Sequence, residues 1–298
     1  MNKDNNFDYL SMLFSAPQNP TQNSFSNVTP SASSTRPSLS LADLLRGLSQ
    51  PPKPKPPALS VEHMNQILTE SLNKKLEVNP GRRLPTIFDL AIGEGRKLNA
   101  AFAYTDLDGY SKLISSKGTG TGFMLLQAFV TLVEKITAHF NGTVVDCAGD
   151  RTLSVFFRPS QDNSAGPIKE AVTAALWIQT AMQKVVAPRF RAAQVEQVSA
   201  SIGIDYGSAI AGCVGVRGNK RLVFFGDAAN RAAKLQDEGV GGETVFSPLV
   251  FQYKPAYLND GSWRFECQYD FASGGARYYK TGYSFAGDIP IEKQIYLQ

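Results

Sequence analysis

Between residues 98 and 225 the apolar segments recur in one order: strand, helix, strand, strand, helix, strand. Alternating or short apolar runs predict strands over 100–105, 143–146, 152–157, 198–206, 209–216 and 222–225. Helical spacing predicts helices that include 123–140, cover 168–185, and run from about 228 to 236. A β-α-β-β-α-β order is that of an α+β, ferredoxin-like split βαβ fold. Such a fold hosts many chemistries, so function has to be argued from particular side chains.

Around this globule the chain changes character. Residues 1–57 are rich in Ser, Asn, Thr and Pro and poor in large apolar residues, which predicts a disordered tail and linker. Within it, SLADLLRGL over 40–48 places four leucines on one helical face, and PPKPKPP over 51–57 reads as extended polyproline. Residues 58–97 form a helix and a connector. The helix is expected over 61–76, capped by Ser60, with an apolar stripe that needs either the globule or a second copy as its partner. Asn79-Pro80-Gly81 is expected to break the chain. Residues 98–250 are expected as the catalytic domain. Residues 251–298 form an aromatic-rich extension, expected as further β structure packed on that domain.

Charge and cysteine usage narrow the function classes. A net charge of +4, scattered rather than clustered, predicts no nucleic-acid face. The three cysteines, Cys147, Cys213 and Cys267, are widely spaced and read as reduced thiols of a cytoplasmic protein. The first thirteen residues lack the pattern of a signal peptide, and no run nears the ~18 apolar residues of a membrane span. His63 and His139 have no metal-ligand neighbour at useful spacing and are expected to be structural.

Three segments carry chemistry. In FAYTDLDGYS an apolar strand delivers Asp106, and Gly109 sits at the bend into a helix. In Gly149-Asp150-Arg151 a glycine permits a tight hairpin turn from which Asp150 projects. Two carboxylates at adjacent strand ends can hold a pair of Mg²⁺ or Mn²⁺ ions beside a triphosphate, although either alone is an ordinary turn residue. Asp108, before a glycine, is the weaker candidate. In VFFGDAANRAAKL a strand gives way to a helix that Asp227 can cap, and Asn230 and Lys234 share one helical face. Such a pair can hold a ribose and a phosphate, or be a solvated surface pair.

These segments together resemble the class III nucleotidyl cyclases, the family of adenylate and guanylate cyclases. The family's patterns are F-x-D-x-x-G-[FY]-[ST], a G-D hairpin before an apolar strand, G-x-x-x-[AG]-G-x-x-G, and F-G-D-x-x-N-x-A-[SA]-[RK]. The chain supplies FAYTDLDGYS, GDRTLSVF, GIDYGSAIAGCVG and FFGDAANRAAKL in that order. The resemblance implies that Asp106, Asp150 and the carbonyl of Leu107 bind two metal ions. It implies that Asn230 orients the ribose and Lys234 meets phosphate charge in the transition state. It also implies a homodimer whose composite sites take the carboxylates from one chain and the Asn and Lys from the other. Phe102, Tyr104, Asp146, Arg151 and Val223 are the substrate-binding candidates.

The chain departs from the family where the base is chosen. Asp146 stands where adenylate cyclases have Lys and guanylate cyclases Glu. Val223 stands where an Asp or Thr reads adenine, or a Cys or similar small residue reads guanine. Lys234 replaces the usual transition-state Arg, leaving Arg151 and Arg231 as other suppliers of charge. The flanking segments resemble the Pycsar antiphage cyclases, which make cyclic UMP or cyclic CMP to activate a separate effector protein. The expected substrate is a pyrimidine ribonucleoside triphosphate, UTP before CTP. The competing readings are a purine cyclase, a catalytically dead nucleotide-binding regulator, and an interaction module built on the helix over 61–76.

Overall fold

The structure, a computed structural model, describes residues 60–73, 76–159, 165–192, 194–195, 198–270 and 275–285. The segments expected over 40–48 and 51–57 lie outside the described residues. The described residues divide into two compact units, one holding residues 60–73 and the other those from 76 onward.

In the first unit, α1 spans Val61–Leu72, and Ser60 Oγ accepts from the backbone N–H of His63 at 3.1 Å. None of its residues is buried. The helix ends at Leu72, four residues before the expected Leu76, with Asn73, a residue that favours caps over helix interiors, as its C-cap.

The second unit runs in chain order β1 (Glu77–Pro80), β2 (Glu94–Asp108), α2 (Tyr110–Lys117), α3 (Thr119–His139), β3 (Gly142–Ala148) and β4 (Arg151–Phe157). It continues with α4 (Ala165–Ala181), a π-helical turn (Met182–Val186), α5 (Ala187–Ala192), β5 (Ser199–Val216), β6 (Asn219–Phe225) and α6 (Asp227–Asp237). Then come β7 (Thr244–Phe246), α7 (Pro248–Gln252), β8 (Glu266–Asp270) and β9 (Gly275–Thr281). Among the described residues the strands form one sheet in the order β3-β4-β2-β5-β7-β9-β8, with β1 on β2 and β6 on β5. The β3-β4-β2-β5 stretch is antiparallel throughout and is the expected split βαβ core.

Period-two alternation along β2 builds two apolar layers. Ala101, Ala103 and Leu107 face α3 and α4, in a cluster with Phe129, Val133, Ile168, Leu176 and Ile202. Ala100 and Phe102 point the other way, with Leu153 and Val155 of β4, against Ala228, Ala229 and Ala232 of α6. At Gly203 the helix lies directly on the sheet: a Cβ there would sit 2.3 Å from the carbonyl oxygen of Ala232.

Several expectations change. The strands expected over 198–206 and 209–216 are one, because Gly207 stays in the ladder opposite Ala100. Its missing side chain admits the methyl of Ala228, which a Cβ would meet at 3.1 Å. Asn79-Pro80 does not break the chain but ends β1, which pairs in parallel with β2. Helix α3 is long and apolar enough to cross a membrane by length and composition, contrary to the expectation from runs. Here Leu125, Phe129 and Val133 place one of its faces in the core. In the C-terminal part the aromatic residues interlock: Phe251 stacks on Tyr279 at 3.7 Å, and Phe285 packs on Trp177 at 5.1 Å. All three cysteines are free.

Candidate active site

The two acidic turns are built by adjacent strands. Asp106 lies near the end of β2 directly opposite Arg151, the first residue of β4. Gly149, at φ 67°, and Asp150 make the two-residue turn between β3 and β4. A positive φ at the first turn position matches the twist of a tight hairpin, and glycine takes it without a Cβ clash. The backbone N–H of Leu107 donates to the carbonyl of Asp150 at 3.3 Å, which ties the two turns together.

Asp106, Leu107 and Asp150 line one cleft of about 790 Å³, with Asp108, Lys112 and Arg191. Burial raises the Asp106 carboxyl above the ordinary range, and the charge of Asp150 raises it further. The guanidinium of Arg151 offsets this in part, with Nε 4.0 Å from the carboxylate. Asp108 is raised by its own burial and by Asp106, while Ser199 and Ser201 each donate to it at 3.4 Å. Two hard oxygen donors with a charge surplus, beside a backbone carbonyl, fit divalent cations whose remaining positions a polyphosphate would fill. Asp106, Asp150 and Leu107 are the residues that would hold them.

Tyr104, Asp146 and Arg151 come together on the sheet face that carries α6. Asp146 pairs with Leu153, which pairs with Tyr104. A bulge between Val144 and Asp146 re-phases β3 and leaves Asp146 exposed. The Tyr104 hydroxyl is raised first by burial and then by the charge of Asp146. Arg151 reaches across to α6, donating to Asp237 at 2.7 Å. Val223 is placed elsewhere: it pairs with Gly212, nine residues along β5 from Gly203, the partner of Tyr104.

Phe102 departs from its expected role. It is fully buried against α6 and Phe224, with ring centroids 6.5 Å apart, so it supports the site rather than touching substrate. Asp227 also departs from its expected role. Gly226 is the N-cap, and Asp227 is the first helical residue, where its charge suits the positive end of the dipole.

Asn230 and Lys234 are both exposed on α6. Lys234 lines a second cleft, with Arg231, Glu238, Arg277 and Tyr278. Arg231 is committed there: its Nε donates at 2.7 Å to Asp205, whose carboxylate is fully buried. Asp205 lies inside the segment GIDYGSAIAGCVG, and Asp237 is the last residue of α6. Both are anchors for arginines distant in sequence, and no local spacing signals such a contact.

The adenylate and guanylate cyclase catalytic domain model matches residues 94–282. Three proteins named uridylate cyclase are similar to the chain. That of Rhodovulum sp. (strain MB263) is 24% identical over 56% of this chain and 70% of its own length. That of Burkholderia cepacia is 29% identical over 56% and 72%. That of Gulbenkiania mobilis is 26% identical over 64% and 76%. Among solved structures, the adenylyl cyclase CyaB from P. aeruginosa superposes with a TM-score of 0.56 at 20% identity, covering 65% of this chain and 98% of that one. A class III adenylyl cyclase-like ATP-binding protein from Pseudomonas aeruginosa gives 0.58 at 18%, covering 67% and 44%. These two likenesses are of fold.

Proposed function

This chain belongs to the adenylate and guanylate cyclase catalytic domain family, and from that premise we propose that it cyclises a pyrimidine ribonucleoside triphosphate, UTP in preference to CTP. The 3′-oxygen attacks the α-phosphorus and gives up its proton to solvent water. The O3′–P bond forms, the bond from the α-phosphorus to the bridging oxygen breaks, and diphosphate leaves. Divalent cations held by Asp106, Asp150 and the Leu107 carbonyl would supply charge neutralisation of the triphosphate and a lowered pKa for the 3′-hydroxyl. Asn230 orients the ribose, and Lys234 meets the charge that grows on the phosphates.

The observation that carries the composite arrangement is the division of the machinery between two clefts. Asp106 and Asp150 line one, and Lys234 lines the other. A two-fold homodimer brings the carboxylates of one copy to the helix of its mate and builds two equivalent sites.

The base preference rests on Asp146 and on the three similar proteins named uridylate cyclase. An ionised Asp146 accepts from N3–H of uracil or from the amino group of cytosine, but N3 of cytosine is an acceptor and meets the carboxylate unfavourably. Tyr104 and Arg151, beside Asp146, are donors for the uracil carbonyls. The cyclic product then acts on a separate effector protein, as the resemblance to the Pycsar branch implies. The test is competition of UTP, CTP, ATP and GTP at equal concentration with Mn²⁺, followed by product identification. Cyclic UMP is the expected main product. Cyclic CMP would overturn the uracil argument alone, and cyclic AMP or cyclic GMP the pyrimidine assignment.

A further inference from the structure

The carboxylate cleft contains two cationic side chains that no motif of the sequence singles out, Lys112 and Arg191. The arginines nearest the motifs have other assignments: Arg151 pairs with Asp237 and Asp106 and is the donor proposed for the base, and Arg231 pairs with the buried Asp205. Lys112 and Arg191 make no ion pair among the described residues.

Arg191 reaches this position through an irregularity of its helix. Met182, Val186 and Phe190 are all buried, at a constant spacing of four residues. That spacing outruns the 3.6 residues per turn of an α-helix, and the π-helical turn at Met182–Val186 absorbs the difference. Phe190 therefore faces the core, while Ala187 and Arg191, again four apart, face the carboxylate cleft. The helix then stops in a fixed way. The N–H of Val195 donates to the Phe190 carbonyl at 2.9 Å, and the N–H of Gln194 to that of Arg191 at 2.9 Å. Gln194 takes a left-handed φ of 58° to do so.

We propose that Arg191, assisted by Lys112, binds the terminal phosphates of the triphosphate in the same chain that supplies Asp106 and Asp150. A planar guanidinium binds two phosphate oxygens at once, which a lysine cannot. Charge at the terminal phosphates also stabilises the departing diphosphate, which complements Lys234 as the replacement for an arginine. This inference rests on the cyclase reading, and its test separates the two.

The test is titration calorimetry of the full chain with inorganic tripolyphosphate and Mn²⁺, a probe that carries neither base nor ribose. Arg191→Ala should weaken binding roughly tenfold, and Arg191→Lys should recover part of it. Arg189→Ala removes the same charge from the same helix, at an exposed residue that does not line the cleft, and should bind as wild type does. In turnover, Arg191→Ala should raise the KM for the triphosphate more than it lowers kcat. Arg191 is exposed, so a native circular dichroism spectrum is expected for each variant. Equal binding by wild type and Arg191→Ala, equal losses in the Arg189 and Arg191 variants, or no binding by wild type would each overturn the proposal. A wild type that binds tripolyphosphate through Arg191 yet forms no cyclic nucleotide would overturn the cyclase reading and leave the anion site standing.

Discussion

At the scale of single residues, the acidic turns set function against stability. Burial and the neighbouring charge of Asp150 raise the Asp106 carboxyl. A raised acid binds its proton more tightly in the folded chain than in the unfolded one. Its contribution therefore falls as pH rises through the carboxylate range, and at neutral pH the ionised group weakens the metal-free fold. Asp106→Asn removes that charge. Its melting temperature in a chelator should exceed that of wild type, while turnover is lost. Mn²⁺ should raise the melting temperature of wild type and leave that of the variant nearly unchanged. Scanning calorimetry with and without metal checks both halves, and a variant destabilised in chelator would show that the charge surplus is compensated elsewhere. Asp146→Ala should behave differently, because its exposed carboxylate is the one proposed to meet the base. It should erode the choice among the four triphosphates more than it lowers metal binding. Equal loss of both would place Asp146 with the metal carboxylates.

At the scale of elements, the position of α6 rests on Gly203. A methyl group there would press on the backbone of the helix at Ala232 and Gln236, and backbone cannot swing aside. Gly203→Ala should cost roughly 1–3 kcal/mol through overpacking. For a domain of this size that lowers the melting temperature by about 2–4 °C per kcal/mol. It should also lower kcat, since Asn230 and Lys234 ride on the displaced helix. An unchanged melting temperature would mean that α6 does not seat on this glycine. The same helix shows what sequence reading reaches. Its extent, to within a residue at each end, follows from local pattern, as do the strand that delivers Asp106 and the hairpin that delivers Asp150. The uninterrupted course of β5 was not legible, because Gly207 looks like a turn until Ala228 of α6 lies across it. The burial of Phe102 was hidden for the same reason: which face of β2 meets α6 is decided by packing of residues far apart in sequence. Arg191 was hidden because the helix expected over 168–185 stops short of it, whereas the chain continues through a π turn into Ala187–Ala192.

At the scale of the whole molecule, the proposed site residues run from Tyr104 to Lys234, and residues 1–57 are expected to be dispensable for the chemistry. A chain beginning at Ser60 should keep the turnover of the full chain, and loss of catalysis in a folded truncation would assign the missing segment a part in the site. The stronger test is of the assembly itself. If the carboxylates and the helix residues of one site come from different copies, two dead variants can rescue each other. Asp106→Ala lacks a metal ligand in both sites of its own homodimer, and Asn230→Ala lacks the ribose contact in both of its own. In the mixed dimer, one site collects both lesions and the other has none. Random exchange of equal amounts makes half of the dimers mixed, each with one intact site of two, so about a quarter of wild-type activity should return. The pair Asp106→Ala and Asp150→Ala is the control. Both lesions fall on the carboxylate side, so every site in their mixed dimer keeps one, and no activity should return. Mixed dimers seen by native mass spectrometry without recovery in the first pair would put the whole catalytic set within one chain. Equal recovery in both pairs would remove Asp106 and Asp150 from a common metal site.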